Sequence, residues 1–275
     1  MLRKLQAVAV LLCMLSYAAA GTVSIGTASA RGDMRVDSYM VKGNATLFDG
    51  SVVETGQATA NLRLNKGTEI TMATSSRGTL YRDRLVLQQG ESQLAASSSY
   101  QIEANGLRVT ASEPNSRVVV SMKPGKTVEV AALNGSFGVM NDHGILLANI
   151  RPGRTVSFAM QAGGSPTSFQ GVGMVSYENG HYYLTTAENV KYEITGKDLK
   201  EYVNKKVAVT GNLQVLATQS EGATSEITLS SISINGAAGM SLTSALIIGG
   251  VIAGGGAGVG YAVYDATQPS SPASR

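Results

Sequence analysis

Apolar and polar residues alternate with a period of two from residue 40 to residue 160. In "ATANLRL", Ala58, Ala60, Leu62 and Leu64 alternate with Thr59, Asn61 and Arg63; in "TEITMA", Ile70 and Met72 alternate with Glu69 and Thr71. Ile102 and Ala104 precede Leu107, Val109 and Ala111, and Val118, Val120 and Met122 precede Val128 and Val130. A two-residue period places one set of side chains on a buried strand face. Turn dipeptides separate the runs: Asp49-Gly50, Lys66-Gly67, Gln89-Gly90, Asn105-Gly106, Pro124-Gly125, Asn134-Gly135, His143-Gly144 and Pro152-Gly153. Glycine accepts positive φ at such turns. The pattern predicts an all-β domain over 31–160, built as a sandwich or a short solenoid.

Residues 161–170, "QAGGSPTSFQ", carry small residues and a proline and read as a linker. A second β pattern fills 171–236. Strands are expected at 174–177, 182–185 and 190–194, then a short polar helix in "GKDLKEYVNK" with Leu199 and Val203 on one side. A long strand, "KVAVTGNLQVL", and a last strand over 227–234 close the set. Strand, strand, strand, helix, strand, strand is the order of a small OB-type barrel.

The two ends differ from this body. Arg3 and Lys4 precede an apolar stretch from Leu5 to Leu15, and small residues follow, which predicts a signal peptide over 1–30. Cleavage motifs stand at Ala18-Ala19-Ala20 and at Ala28-Ser29-Ala30. Residues 241–264 carry no charge, enough positions for a span of about 20 residues. Gly250, Gly254 and Gly258 recur at four-residue spacing, a small-residue face that lets two helices approach. This predicts a C-terminal transmembrane helix able to self-associate, followed by a polar, disordered tail over 265–275.

Cys13, inside the apolar N-terminal stretch, is the one cysteine of the chain. A processed chain without it has no disulfide and no thiolate chemistry, which fits a bacterial envelope protein. The formal net charge of +3 is too small to imply a nucleic-acid partner. Residues 171–240 hold five lysines against seven carboxylates, and that acidic balance argues against nucleic acid on Tyr182, Tyr183 and Tyr192 with Lys191, Lys205 and Lys206. Arg77, Arg82 and Arg84 cluster in "SRGTLYRDRLVL" as a candidate surface patch for an anionic envelope partner. His143 beside Asp142, with Ser136 upstream, offers a weak catalytic set without a nucleophile elbow. No spacing for a metal or a cofactor occurs, so none is expected.

Two stretches resemble known families. "GNATLFDGSVVETGQATANLRLNKGTEITMATSSRGTLYRDRLVLQQGE" (43–91) and "VEVAALNGSFGVMNDHGILLANIRPGRTVSF" (128–158) resemble the FecR-type periplasmic domain. In that family the domain belongs to transmembrane regulators that relay siderophore-uptake signals to a sigma factor. Those regulators carry a cytoplasmic anti-sigma domain ahead of their span; the thirty or so residues ahead of the β region here read as a signal, so that half is expected to be missing. "GMVSYENGHYYLTTAENVKYEITGKDLKEYVNKKVAVTGNL" (173–213) is similar to small bacterial OB-like domains. The expectation is a non-enzymatic envelope protein. It presents both domains in the periplasm, is anchored in the inner membrane through 241–264, and binds an envelope protein or a cell-wall polymer. The alternative is an exported polymer-binding module without a span.

Overall fold

The computed structural model describes residues 23–96, 100–160, 168–234, 246–248 and 251–256. Among these the chain is all-β, with two short 3-10 turns at Pro124–Lys126 and Lys200–Tyr202. In chain order the first unit runs β1 (Ser24–Val36), β2 (Tyr39–Phe48), β3 (Val52–Thr55), β4 (Ala60–Leu64), β5 (Glu69–Met72), β6 (Arg77–Leu80) and β7 (Arg84–Ala96). It continues with β8 (Gln101–Ala104), β9 (Leu107–Ala111), β10 (Ser116–Met122), β11 (Val128–Asn134), β12 (Phe137–Met140), β13 (Leu146–Ile150) and β14 (Thr155–Met160). The alternation read from the sequence is the burial pattern: β4 buries Ala60, Leu62 and Leu64 and exposes Arg63.

Closure was not legible in advance. One edge of β1 pairs with β4 along 26–30 and with β3 along 34–36. β4 leads to β5 and β3 leads to β6, and both β5 and β6 meet β7. These six strands close a barrel whose corners, β1 and β7, are each 13 residues long and give half their length to each side. The other edge of β7 carries the fold onward in two layers. One runs β8, β9, β12, β13, starting beside Arg84–Leu87; the other runs β10, β11, β14, starting beside Gly90–Ala96. Leu62, Ile70, Leu94 and Val120 from one layer share a core with Val53, Leu85, Ile102 and Val139 from the other. Burial of each such side chain stabilises the fold by roughly 1.5–3 kcal/mol.

The domain boundary drawn at residue 31 falls inside β1. Ala28 is fully buried, and Ala30 pairs with both Gly43 and Ala60. Ser24–Ala30 therefore belong to the first unit, and the motif ending at Ala30 lies within a paired strand. The other motif, with Cys13 and the rest of 1–22, lies outside the described residues, as does most of the linker, 161–167.

The second unit comprises β15 (Ser168–Glu178), β16 (His181–Thr186), β17 (Lys191–Thr195), β18 (Lys206–Ser220) and β19 (Ala223–Ser233). β15 pairs with β16, β16 with β17, β17 with β19 in parallel, β19 with β18, and β18 with β15, so this barrel is closed too. The expected short helix is a single 3-10 turn. Leu199 is buried ahead of it, and Asn204, at positive φ, ends it.

The C-terminal helix is corrected by the fold. Leu246–Ile248 and Val251–Gly256 are strands, β20 and β21, paired with each other. β21 pairs with β14 of the first unit, and β20 pairs with β15 of the second. Leu246, Ile248, Val251 and Ala253 are buried in the common core. Among the described residues no helix is long and apolar enough to cross a membrane. The physical reason for the misreading is that a strand packed into a core and a lipid-spanning helix are both uncharged runs. The β-branched Ile247, Ile248, Val251 and Ile252 favour the strand. Gly254 faces Ser157 across the ladder, so it belongs to no helix face. Gly250, Gly258 and the tail 265–275 lie outside the described residues.

Candidate functional site

Residues paired across neighbouring strands share a face. On the outside of the first barrel this brings five residues from distant parts of the sequence into one row. Arg35 pairs with Met40 on one side and Glu54 on the other, Glu54 pairs with Arg77, and Arg77 pairs with Gln89. The row lines a cleft of about 420 Å³, with Asp33, Ser75 and Ser76 at its end and Met34 and Thr55 beneath. Such a volume suits a small ligand or one repeat of a polymer.

The loop at the end of the cleft is held firmly. The Thr55 hydroxyl donates to the Ala73 carbonyl and accepts from the Ser76 amide at 2.8 Å. Gly90, at φ +81°, lets Ser76 approach; a Cβ there would lie 2.6 Å from the Ser76 Cα. Within the row, the Arg77 guanidinium lies 2.8 Å from a Glu54 carboxylate oxygen. Arg35 is exposed and has no ion pair among the described residues. Met40 beside it keeps 54 % of its surface in solvent. The cleft thus offers one uncommitted guanidinium, one guanidinium already neutralised, a carboxylate at Asp33, and hydroxyl and amide groups.

The arginine patch read from the sequence is dispersed, because the β6–β7 hairpin sends neighbours in sequence to different places. Arg77 lies in the cleft. Arg82 lines a second, smaller cleft of about 290 Å³ with Asp83, Lys66 and Tyr100, and its amide donates to Asp49. Arg84 is occupied: its guanidinium lies 3.3 Å from Glu103 and 3.1 Å from Asp83, at ion-pair distance, and 4.4 Å from the centre of the Tyr81 ring. Tyr100 donates its hydroxyl to the Tyr81 carbonyl, and burial pushes that phenol well up.

The catalytic set is not assembled. Ser136 and His143 flank opposite ends of β12, a strand of four residues that spans about 13 Å. His143 is exposed, and its ring lies 2.6 Å from the carboxylate of its neighbour Asp142. His181 sits 2.6 Å from Glu193 on the second barrel. Among the described residues no cluster of three or more His, Cys, Asp or Glu is placed to hold a metal ion.

The second barrel's tyrosines are not an open stacking surface. Tyr183 and Tyr192 are fully buried. Lys191 is taken by Glu178 at 2.7 Å, and its hydrogen bond, with a second from Ser176, holds the Glu178 carboxyl below the usual range. Tyr177 and Tyr182 touch at the end of the barrel, ring centres 4.7 Å apart, and Tyr177 is 53 % exposed.

No protein-family model matches the chain, and no curated protein is detectably similar to it in sequence.

Proposed function

We propose that the protein is a non-enzymatic, exported module of the bacterial cell envelope that binds a cell-wall polymer in the Arg35–Glu54–Arg77 cleft. In this reading the first unit is FecR-like and the second OB-like, and the N-terminal stretch directs export. The observation that carries it is the cleft itself. An unpaired guanidinium beside a guanidinium–carboxylate pair matches a polymer with anionic groups and many hydroxyls. Arg35 takes the ligand carboxylate or phosphate, Ser75 and Gln89 meet hydroxyls, and Asp33 meets an amine or a hydroxyl. The burial of Leu246, Ile248, Val251 and Ala253 in the core supports the version without a C-terminal anchor.

Sedimentation with purified cell-wall sacculi tests the reading, using teichoic-acid-bearing and teichoic-acid-free preparations to separate phosphate from carboxylate recognition. Wild type should co-sediment, and Arg35→Ala should weaken binding about tenfold, the worth of one charge-assisted contact. A wild-type protein left in the supernatant with both preparations would sink the proposal.

A further inference from the structure

Tyr183 is fully buried, yet it points away from the core of the second barrel. Its cross-strand partners are Ser176 and Glu193, whereas the core face of the same strands carries Val175, Leu184 and Tyr192. Two things cover the ring from outside. Lys191 stretches across it, with its ammonium 4.3 Å from the ring centre, to reach Glu178. The Tyr183 hydroxyl meets the Ser220 hydroxyl at 2.7 Å.

Ser220 belongs to the tip of the β18–β19 hairpin. The hairpin ladder is regular from Gly211–Leu229 to the Val215–Ser225 pair and resumes only at Ser220–Ala223. Residues 216–219 therefore stand against Thr224 alone, a bulge that bends the ribbon. Glu221 and Gly222 turn the tip at positive φ. A second tie holds it down: Asn179, in the β15–β16 turn, donates to the Glu221 carboxylate at 2.7 Å. The tip is thus fixed to the barrel face by two side-chain hydrogen bonds, on a ribbon already bent where a hinge would be.

We infer that this hairpin tip is a latch that shuts a glycan-binding face centred on Tyr183. Lifting the tip at 216–219 breaks the two ties and leaves the barrel's own ladders intact. Lys191 is then the remaining cover, and once its ammonium swings off the ring and away from Glu178 the ring becomes a flat apolar platform with Ser176, His181 and Glu193 around it. That is the surface a sugar ring needs, apolar on its faces and hydrogen-bonding at its edge. Charge selects the ligand. Glu178, Glu193 and Glu226 outnumber the lysines of this face, Lys191 and, beside Met174, Lys206, so a phosphodiester chain is repelled and a neutral glycan is not. The face is on the other unit from the Arg35 cleft and does not rest on the reading of that cleft.

The test uses the full chain with neutral oligosaccharides of N-acetylglucosamine as the probe. In wild type, Tyr183 should resist nitration and the sugar should bind weakly. Ser220→Ala combined with Glu221→Ala should raise both the nitration rate and the sugar affinity by about tenfold, because the open form is no longer a minor state. Adding Tyr183→Ala to that variant should abolish binding. Unchanged affinity in the unlatched variant, or binding that survives Tyr183→Ala, would overturn the inference. If the double variant does not fold, hydrogen exchange on wild type decides: amides of 216–224 should exchange roughly tenfold faster than those of β16 and β17. Equal protection rules the latch out. Arg35→Ala should leave all these readouts unchanged, which separates failure of the latch from failure of the cleft.

Discussion

Tyr192 of the second barrel donates its hydroxyl to the Leu146 carbonyl of the first unit, 2.8 Å away. The ring packs edge-on against Phe169 at 5.2 Å, and burial, with Glu188 nearby, raises the phenol well above its ordinary range, so it stays a neutral donor. Beside it, the Asn149 amide donates to the Glu188 carbonyl, and Arg151 donates to the Asn189 side chain at 2.6 Å. Polar contacts of this kind, together with β20 and β21, join the two units.

Tyr192→Phe keeps the ring and strands the Leu146 carbonyl. The cost should be about 1–3 kcal/mol, a fall in Tm of roughly 3–8 °C measured by calorimetry. An unchanged Tm would show that water replaces the phenol and that the bond does not couple the units.

The two cleavage motifs differ in how much of β1 they would leave. A chain starting at Gly21 keeps all of β1, whereas one starting at Arg31 lacks the segment that pairs with β4 and buries Ala28. Circular dichroism should show the first folded and the second unfolded or aggregated. A stable fold from Arg31 would remove the objection to cleavage after Ala30.

Glu188 sits half-buried at the join, and burial pushes its carboxyl above the ordinary value of 4.5, against the pull of its own amide. A raised folded pKa means that the folded state holds the proton more tightly. Its contribution to stability is therefore full below the unfolded value and is lost as pH rises through the folded one. Glu188→Gln should stabilise the protein at neutral pH and flatten the stability profile just above pH 4.5. Denaturant titrations at a series of pH values check this; a profile identical to wild type refutes it.

Val251→Arg distinguishes a core strand from a membrane span. Val251 is 4 % exposed, and a charge there has no partner within the shared core. The substitution should cost about 4 kcal/mol or more and yield insoluble protein. A folded, soluble variant would contradict the placement of β21.

Arg84→Ala should behave unlike Arg35→Ala. Arg84 is held by Glu103 and the Tyr81 ring with a third of its side chain exposed, so its loss should cost about 1 kcal/mol of stability. Sedimentation with wall polymer should not change.

The turns were the most legible part of the sequence. Gly50, Gly67, Gly106, Gly125, Gly135, Gly144 and Gly153 adopt positive φ where turns were read; Gly90 does so too, but inside β7, where no turn forms. The order of elements in the second unit was also visible, since each strand carries its own period. Two things were hidden. The row Met40–Arg35–Glu54–Arg77–Gln89 exists only because β1 is a corner strand, and pairing partners leave no trace in local periodicity. Arg77, Arg82 and Arg84 looked like a cluster because proximity in sequence was the only proximity available. The uncharged stretch 241–264 misled for a deeper reason: hydropathy reports that a segment avoids water and says nothing about whether protein or lipid takes its place.

The β20–β21 hairpin also has a consequence in time. The edges of β14 and β15 that it covers are made long before it, with the whole second barrel synthesised in between. Each barrel can close on its own strands as the chain emerges, but the splice between them waits for residue 256. Until then two ready-made strand edges stand open to any other chain that arrives first. The window in which this protein is vulnerable to mispairing is therefore set by how fast its last strands are delivered.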